Sequence, residues 1–205
     1  MHHFTAHRLC FVTEVQVPVE LNEHQGSALR GALYHALRQR FCSFARDPQM
    51  QCADCALVAT CPVATLVSTL DPNNTRGQDR PRPYTFQPPL PGSGHSIEDP
   101  EGHVTFHYDH GEPLAFGLTL YADAMALFPY VVLAVEEFER GGLGRKTQQS
   151  NGRWQRGTLT VREIWAENPL TGEHQAVLRQ GSHQVQVPDI PITHAQVLAQ
   201  AERLP

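Results

Sequence analysis

The sequence predicts an α+β fold, and three observations carry that prediction. Residues 4–17 alternate apolar with polar side chains and include several β-branched ones, the pattern of a long strand covered on one face. Leu29, Leu33, Leu37 and Phe41 then recur every four residues, the stripe of an amphipathic helix. Further along come two more alternating segments, a second helical stripe and another strand. Strand, helix, strand, strand, helix, strand is the order of a split βαβ unit. The expected architecture is therefore a ferredoxin-like (RRM-like) βαββαβ sandwich with two helices on one face of an antiparallel sheet.

In chain order, Pro18 ends the first strand, and Asn22 to Ser27 is a turn rich in capping residues that leads into a helix over Ser27–Phe41. A cysteine-rich insertion occupies 42–70, with a short helix from Val63 to Leu70. Residues 71–112 are rich in proline and glycine. Within them Arg82 to Gln87 reads as an edge strand, because its prolines cannot donate to a central ladder. Gly92 to Gly102 reads as a loop, and His103–Tyr108 and Leu114–Tyr121 as strands. The second helix spans Asp123–Arg140, with Leu127, Val131, Ala134 and Phe138 inward and Glu136, Glu137 and Glu139 outward. Pro129 falls in its early turns, and Gly141-Gly142 stops it. Thr158–Trp165 is a strongly alternating strand. The appended region, 166–205, holds a turn at Asn168–Gly172, a hairpin partner at His174–Arg179 and a helix at Thr193–Arg203. No internal repeat is present, and residues 1–205 read as a single domain.

Composition narrows the function classes. The 205 residues carry a net charge of −5, so the surface as a whole does not attract polyanions and any such site is local. No apolar run is long enough to cross a bilayer, and the first residues lack the apolar core of a signal peptide. The expected location is the cytoplasm, a reducing compartment with no membrane partner.

Cys42, Cys52, Cys55 and Cys61 lie within one short window, Cys52 and Cys55 as a Cys-Ala-Asp-Cys knuckle. Four thiolates complete a tetrahedral shell for structural Zn²⁺, although the Cys55-to-Cys61 spacing is looser than a paired knuckle. Two disulfides, or buried thiols without a partner, are the alternatives. Cys10, within the first strand, reads as a core residue. His103, His107, Asp109 and His110 match no standard ligand spacing, and no carboxylate cluster for a catalytic metal is evident.

Two other features suit RNA. On the first helix, His35 lies about 200° from Leu33, facing away from the leucine stripe, with Gly31 and Arg38 on its side and Tyr34 and Arg30 nearby. Between Arg140 and Arg156, the chain gathers Arg145, Lys146, Arg153, Trp154 and Arg156 with Gly141, Gly142, Gly144 and Gly152. Cations for phosphates beside an aromatic platform for a base compose a single-strand RNA contact. The glycines predict that this segment is a flexible loop. A solvated helix face and a solvated loop are the plain alternatives.

The segment Gln25 to Arg38 resembles the first-helix signature of the CRISPR-associated endoribonucleases that process precursor CRISPR RNA, members of the repeat-associated mysterious protein (RAMP) superfamily. The Cys55, Cys61-Pro62 context resembles the cysteine insertion of one branch, and Leu127 to Arg145 resembles that branch's second helix and the glycine-arginine loop after it. The resemblance covers most of the chain in three motifs, and it matches the first of two tandem domains. The glycine-rich loop of the second domain has no counterpart here, so a second RAMP domain or another CRISPR effector subunit is an implied partner. The implied chemistry is metal-independent: a ribose 2′-OH attacks the adjacent phosphate and leaves a 2′,3′-cyclic phosphate on CRISPR repeat RNA. His35 is then the general acid/base, Tyr34 orients or shares the proton transfer, and Arg30 or Arg38 stabilises the phosphorane. A non-catalytic RAMP subunit that holds CRISPR RNA, and a zinc-stabilised protein-interaction domain, are the competing readings.

Overall fold

In the computed structural model, which describes residues 4–47, 49–68, 81–90, 92–148 and 152–203, the first strand is the spine of the sheet. In β1 (Thr5–Val17), Leu9, Phe11, Thr13 and Val15 are buried, while Arg8, Cys10, Val12 and Glu14 on the other face are half covered. The one polar member of the buried row is satisfied: Thr13 Oγ1 donates to the Leu114 carbonyl at 2.6 Å. Antiparallel neighbours flank β1 along most of its length, β6 (Pro113–Tyr121) on one side and β8 (Trp154–Asn168) on the other. β3 (Tyr84–Gln87) pairs outside β6, and β7 (Leu143–Gln148) outside β8, giving the order β3-β6-β1-β8-β7. β9 (Glu173–Leu178) also pairs with β8, and the two-residue β10 (Ile192–Thr193) with the start of β1. Every one of these pairings is antiparallel.

α1 (Gln25–Phe41) packs against α2 (Phe128–Glu136), and Phe41 meets Tyr130 edge-on at 5.0 Å. Leu29, Leu33 and Leu37 of α1 and Val131 and Val135 of α2 join Leu9, Phe11, Phe116 and Leu118 in one continuous core. The α+β class is the expected one, and the strand order is compatible with a ferredoxin-like sandwich.

Several elements depart from the expected order. Pro18 ends β1 at Val17, as expected, but the extended chain does not stop there. The chain resumes as β2 (Val19–Asn22), which leaves the main sheet and joins β5 (Val104–Tyr108) and β4 (His95–Glu98) in a separate three-stranded sheet ordered β2-β5-β4. The segment 103–108 is therefore a strand, but not one of the main sheet, and part of the expected loop 92–102 is β4. The place beside β6 belongs to β3, through Tyr84↔Leu120 and Phe86↔Leu118. Alternation reports which face of a strand is buried, not which strand it pairs with.

The second helix is divided. A 3₁₀ turn covers Ala122–Leu127, α2 follows with Pro129 in its first turn, and the chain breaks at Glu137 before the short α3 (Phe138–Gly141). Proline is favourable at the start of a helix, so Pro129 marks a beginning rather than an interior position. The cysteine insertion carries a 3₁₀ turn at Cys52–Asp54 and helical turns ending at Ser68, while the rest of the expected short helix and the loop at 71–80 lie outside the described residues. α4 (His194–Ala201) is held by a capping box between Thr193 and Gln196. Among the described residues no helix is long and apolar enough to cross a membrane.

Candidate nucleic-acid interface

α1 presents the residues that the helical period assigned to its outer side. His35 is exposed, its ring 5.5 Å from that of Tyr34, and no hydrogen-bond partner binds its nitrogens among the described residues. A Cβ built at Gly31 would meet nothing within 4 Å, so the helix backbone is approachable there. Arg38 stands differently from its expected role. One guanidinium nitrogen donates to Tyr34 Oη at 3.2 Å and another to the Asp47 carbonyl at 3.0 Å, which ties α1 to the cysteine insertion. The Tyr34 hydroxyl is the largest influence holding Arg38 in its charged form, and Cys42 and Cys52 act in the same direction. Arg30 donates to Ser27 Oγ and lies near Tyr84, where its positive charge and that of Arg82 lower the phenol's pKa against the larger upward push of burial. Tyr84 belongs to β3, which stands at the opposite end of the sheet from β7.

The basic segment is not the expected loop. β7 and the first residues of β8 form a hairpin, with Lys146↔Arg156, Thr147↔Gln155 and Gln148↔Trp154 as facing pairs. Side chains alternate across a strand, so Lys146, Gln148, Trp154 and Arg156 share one face of the hairpin. All four are exposed, Trp154 at 65%. Two cations directly opposite each other are unfavourable in isolation. Arg156 relieves part of this by donating to the Gly144 carbonyl, which also fixes its guanidinium on the hairpin. Arg145 sits on the bulge between Leu143 and Lys146, exposed, and Arg153 is exposed at the hairpin's far end.

Glycines seat this hairpin. Gly144 has φ +80°, and a Cβ there would collide with the Glu20 carbonyl oxygen. A Cβ on Gly157 would come within 2.6 Å of the Val19 backbone. The hairpin therefore lies directly against β2, the strand that leads into α1, and β7 also neighbours α1 itself. The structure brings Lys146, Trp154 and Arg156 onto one exposed face of the hairpin, whose first strand, β7, neighbours α1. It leaves Arg38 committed to the cysteine insertion and Arg30 near β3.

All four clustered cysteines, with Arg38 and Met50, line one cavity of about 30 Å³, and all five cysteines of the chain are free thiols. The donor set and the size of the cavity suit a single Zn²⁺ ion. The sulfurs surround it without closing on a point: no three of them lie within 4.8 Å of one another, whereas a tetrahedral shell with Zn–S near 2.3 Å sets them ~3.8 Å apart. Cys10 is half buried on the face of β1 opposite the core, next to Arg8 and Glu167. It therefore lies outside the core that the sequence suggested, although burial is still the main cause pushing its thiol pKa up.

These residues sit in a chain whose family is defined by sequence. Residues 4–190 match the model of the AF_1859_N family, described as an N-terminal domain, and the protein belongs to that family. No curated protein matches the chain. Among solved structures it is similar to a chain of the Csm3-Csm4 subcomplex in the type III-A CRISPR-Cas interference complex, with 12% identity and a TM-score of 0.47 over 88% of this chain and 92% of that one. It is also similar to Csc2 of Thermofilum pendens, with 10% identity and a TM-score of 0.34 over 80% of this chain and 67% of that one.

Proposed function

We propose that the protein binds single-stranded RNA along the β7–β8 hairpin and the outer side of α1, as an RNA-binding component of a CRISPR ribonucleoprotein. The observation that carries this reading is the hairpin face itself. Lys146 and Arg156 face each other with no acidic partner among the described residues, and Trp154 stands exposed one pair further along. Opposed cations next to a bare indole are costly to maintain in water, and a phosphate between the cations with a base on the indole removes both costs. The CRISPR context comes from the sequence resemblance of the Gln25–Arg38 segment and the glycine-arginine stretch to RAMP proteins.

A second reading, cleavage of CRISPR repeat RNA, is favoured by the exposure of His35 beside the Tyr34–Arg38 pair. On that reading His35 relays the proton of the attacking 2′-OH, and the cations that meet the phosphorane come from the hairpin, since Arg38 is already engaged. The cysteine cavity has a structural part in either case: Zn²⁺ held by Cys42, Cys52, Cys55 and Cys61 would fasten the insertion to the end of α1.

One experiment separates the readings. A repeat-type single-stranded RNA is titrated onto the chain at several salt concentrations in EDTA, and the products are resolved. Lys146→Ala with Arg156→Ala is expected to flatten the salt dependence by about 0.7 log units per log of salt for each phosphate left without its cation. Trp154→Ala is expected to cost about 1–3 kcal/mol of affinity. Cutting that survives EDTA and disappears in His35→Ala, with binding intact, establishes the nuclease; binding without product establishes the non-catalytic subunit. Absence of RNA affinity at moderate salt refutes both and leaves the protein-interaction reading.

A further inference from the structure

The small β2-β5-β4 sheet gathers histidines and carboxylates that the RNA reading does not use. Three of the histidines considered in the sequence are separated by the fold. His103 Nδ1 lies 3.1 Å from Asp99, His107 Nδ1 lies 3.5 Å from Glu20, and His110 Nδ1 contacts the Gln16 carbonyl at 2.9 Å. In their place the structure brings His95, from β4, to Asp109 and Glu112, from the turn between β5 and β6. One donor atom of each lies within 4.8 Å of the other two.

We propose that His95, Asp109 and Glu112 form a binding site for a divalent first-row transition ion that prefers nitrogen and oxygen ligands, of the Mn²⁺ or Co²⁺ kind. Glu112 is oriented for it. Its Oε2 accepts the Asp109 backbone N–H at 2.7 Å, which turns Oε1 toward His95 Nε2 at 3.3 Å. The imidazole argues against Mg²⁺ or Ca²⁺, which take oxygen shells, and the two carboxylates argue against Cu(I). Three protein ligands leave coordination positions for water.

A second group of the same composition, Asp99, Glu101 and His103, serves as an internal comparison. Its members come from one tight turn, and both Asp99 oxygens are already engaged: Oδ1 accepts the Glu101 and His103 backbone N–H groups, and Oδ2 meets the His103 ring. At the His95 site, by contrast, the ligands come from separate elements, so an ion bound there ties β4 to the turn before β6.

Mn²⁺ is the probe of choice because soft thiolates hold it poorly, which keeps the cysteine cavity out of the measurement. It is titrated onto the whole chain, and paramagnetic broadening of assigned backbone amides is followed by NMR. The expected result is broadening centred on residues 95 and 109–112, shifted to about tenfold or more higher Mn²⁺ in His95→Ala and in Glu112→Gln, and unchanged in Asp99→Asn. Glu112→Gln keeps an oxygen acceptor for the Asp109 N–H, so its spectrum without metal should match the wild type. Broadening spread equally over residues 99–103, or indifferent to both substitutions, overturns the proposal. RNA binding plays no part in this measurement, so its outcome is independent of the hairpin reading.

Discussion

Tyr84 has a side chain that is 4% exposed and a hydroxyl with no hydrogen-bond partner among the described residues. An unmade bond of a buried polar group costs about 1–3 kcal/mol, so Tyr84→Phe should stabilise the protein by about 1 kcal/mol while the ring keeps its edge-on packing against Phe86. A rise in the denaturant midpoint with unchanged slope is the check, and a fall would mean that the hydroxyl has a partner in solution. Single residues also show how far a helical period reaches. The 3.6-residue repeat identified His35 as outward-facing, and it is. The same repeat placed Arg38 on that side, yet a flexible arginine goes where acceptors are. Its acceptors, Tyr34 Oη and the Asp47 carbonyl, come from the helix itself and from a turn folded back against it.

At the level of elements, the hairpin is the part least visible in the sequence. β7 buries little beyond Leu143 and reads as glycine, cations and glutamine, without the alternation that betrays a half-buried strand. Its pairing is imposed by β8, which extends well ahead of its apolar stretch. Gly144 should control how the hairpin seats. Gly144→Ala introduces both a strained positive φ and a collision with the Glu20 backbone. Gly152→Ala, at φ +79° with open space around it, introduces the strain alone. The expected outcome is that Gly144→Ala loses about 1–3 kcal/mol of stability, more than Gly152→Ala, and weakens RNA binding as well. Equal effects of the two variants would show that packing against β2 is not what positions the hairpin.

On the scale of the whole molecule, one core links the main sheet to α1 and α2; of the cysteine insertion, Val63 and Leu66 lie in that core, Cys42, Cys61 and Val67 pack against it, and Arg38 ties the insertion to the end of α1. Removal of a zinc ligand should therefore loosen the insertion without melting the sheet. In Cys55→Ser, zinc content should fall, amide exchange should rise across residues 49–66, and protection of Leu9 to Val15 in β1 should be retained. Metal content equal to wild type in that variant, or none in either, would remove zinc from the account.

The sequence by itself determined the α+β class, the long first strand, the α1 stripe with its outward histidine and the grouping of the four cysteines, because each is a local pattern of side-chain period or spacing. Tertiary structure alone decided that β3 rather than β5 stands beside β6, that β2 leaves the main sheet, that the glycine-arginine segment is a hairpin, and that His95 meets Asp109 and Glu112. These are questions of partner choice. Partners distant in sequence are selected by which packing buries the apolar surface while satisfying the backbone, and no local period records that selection.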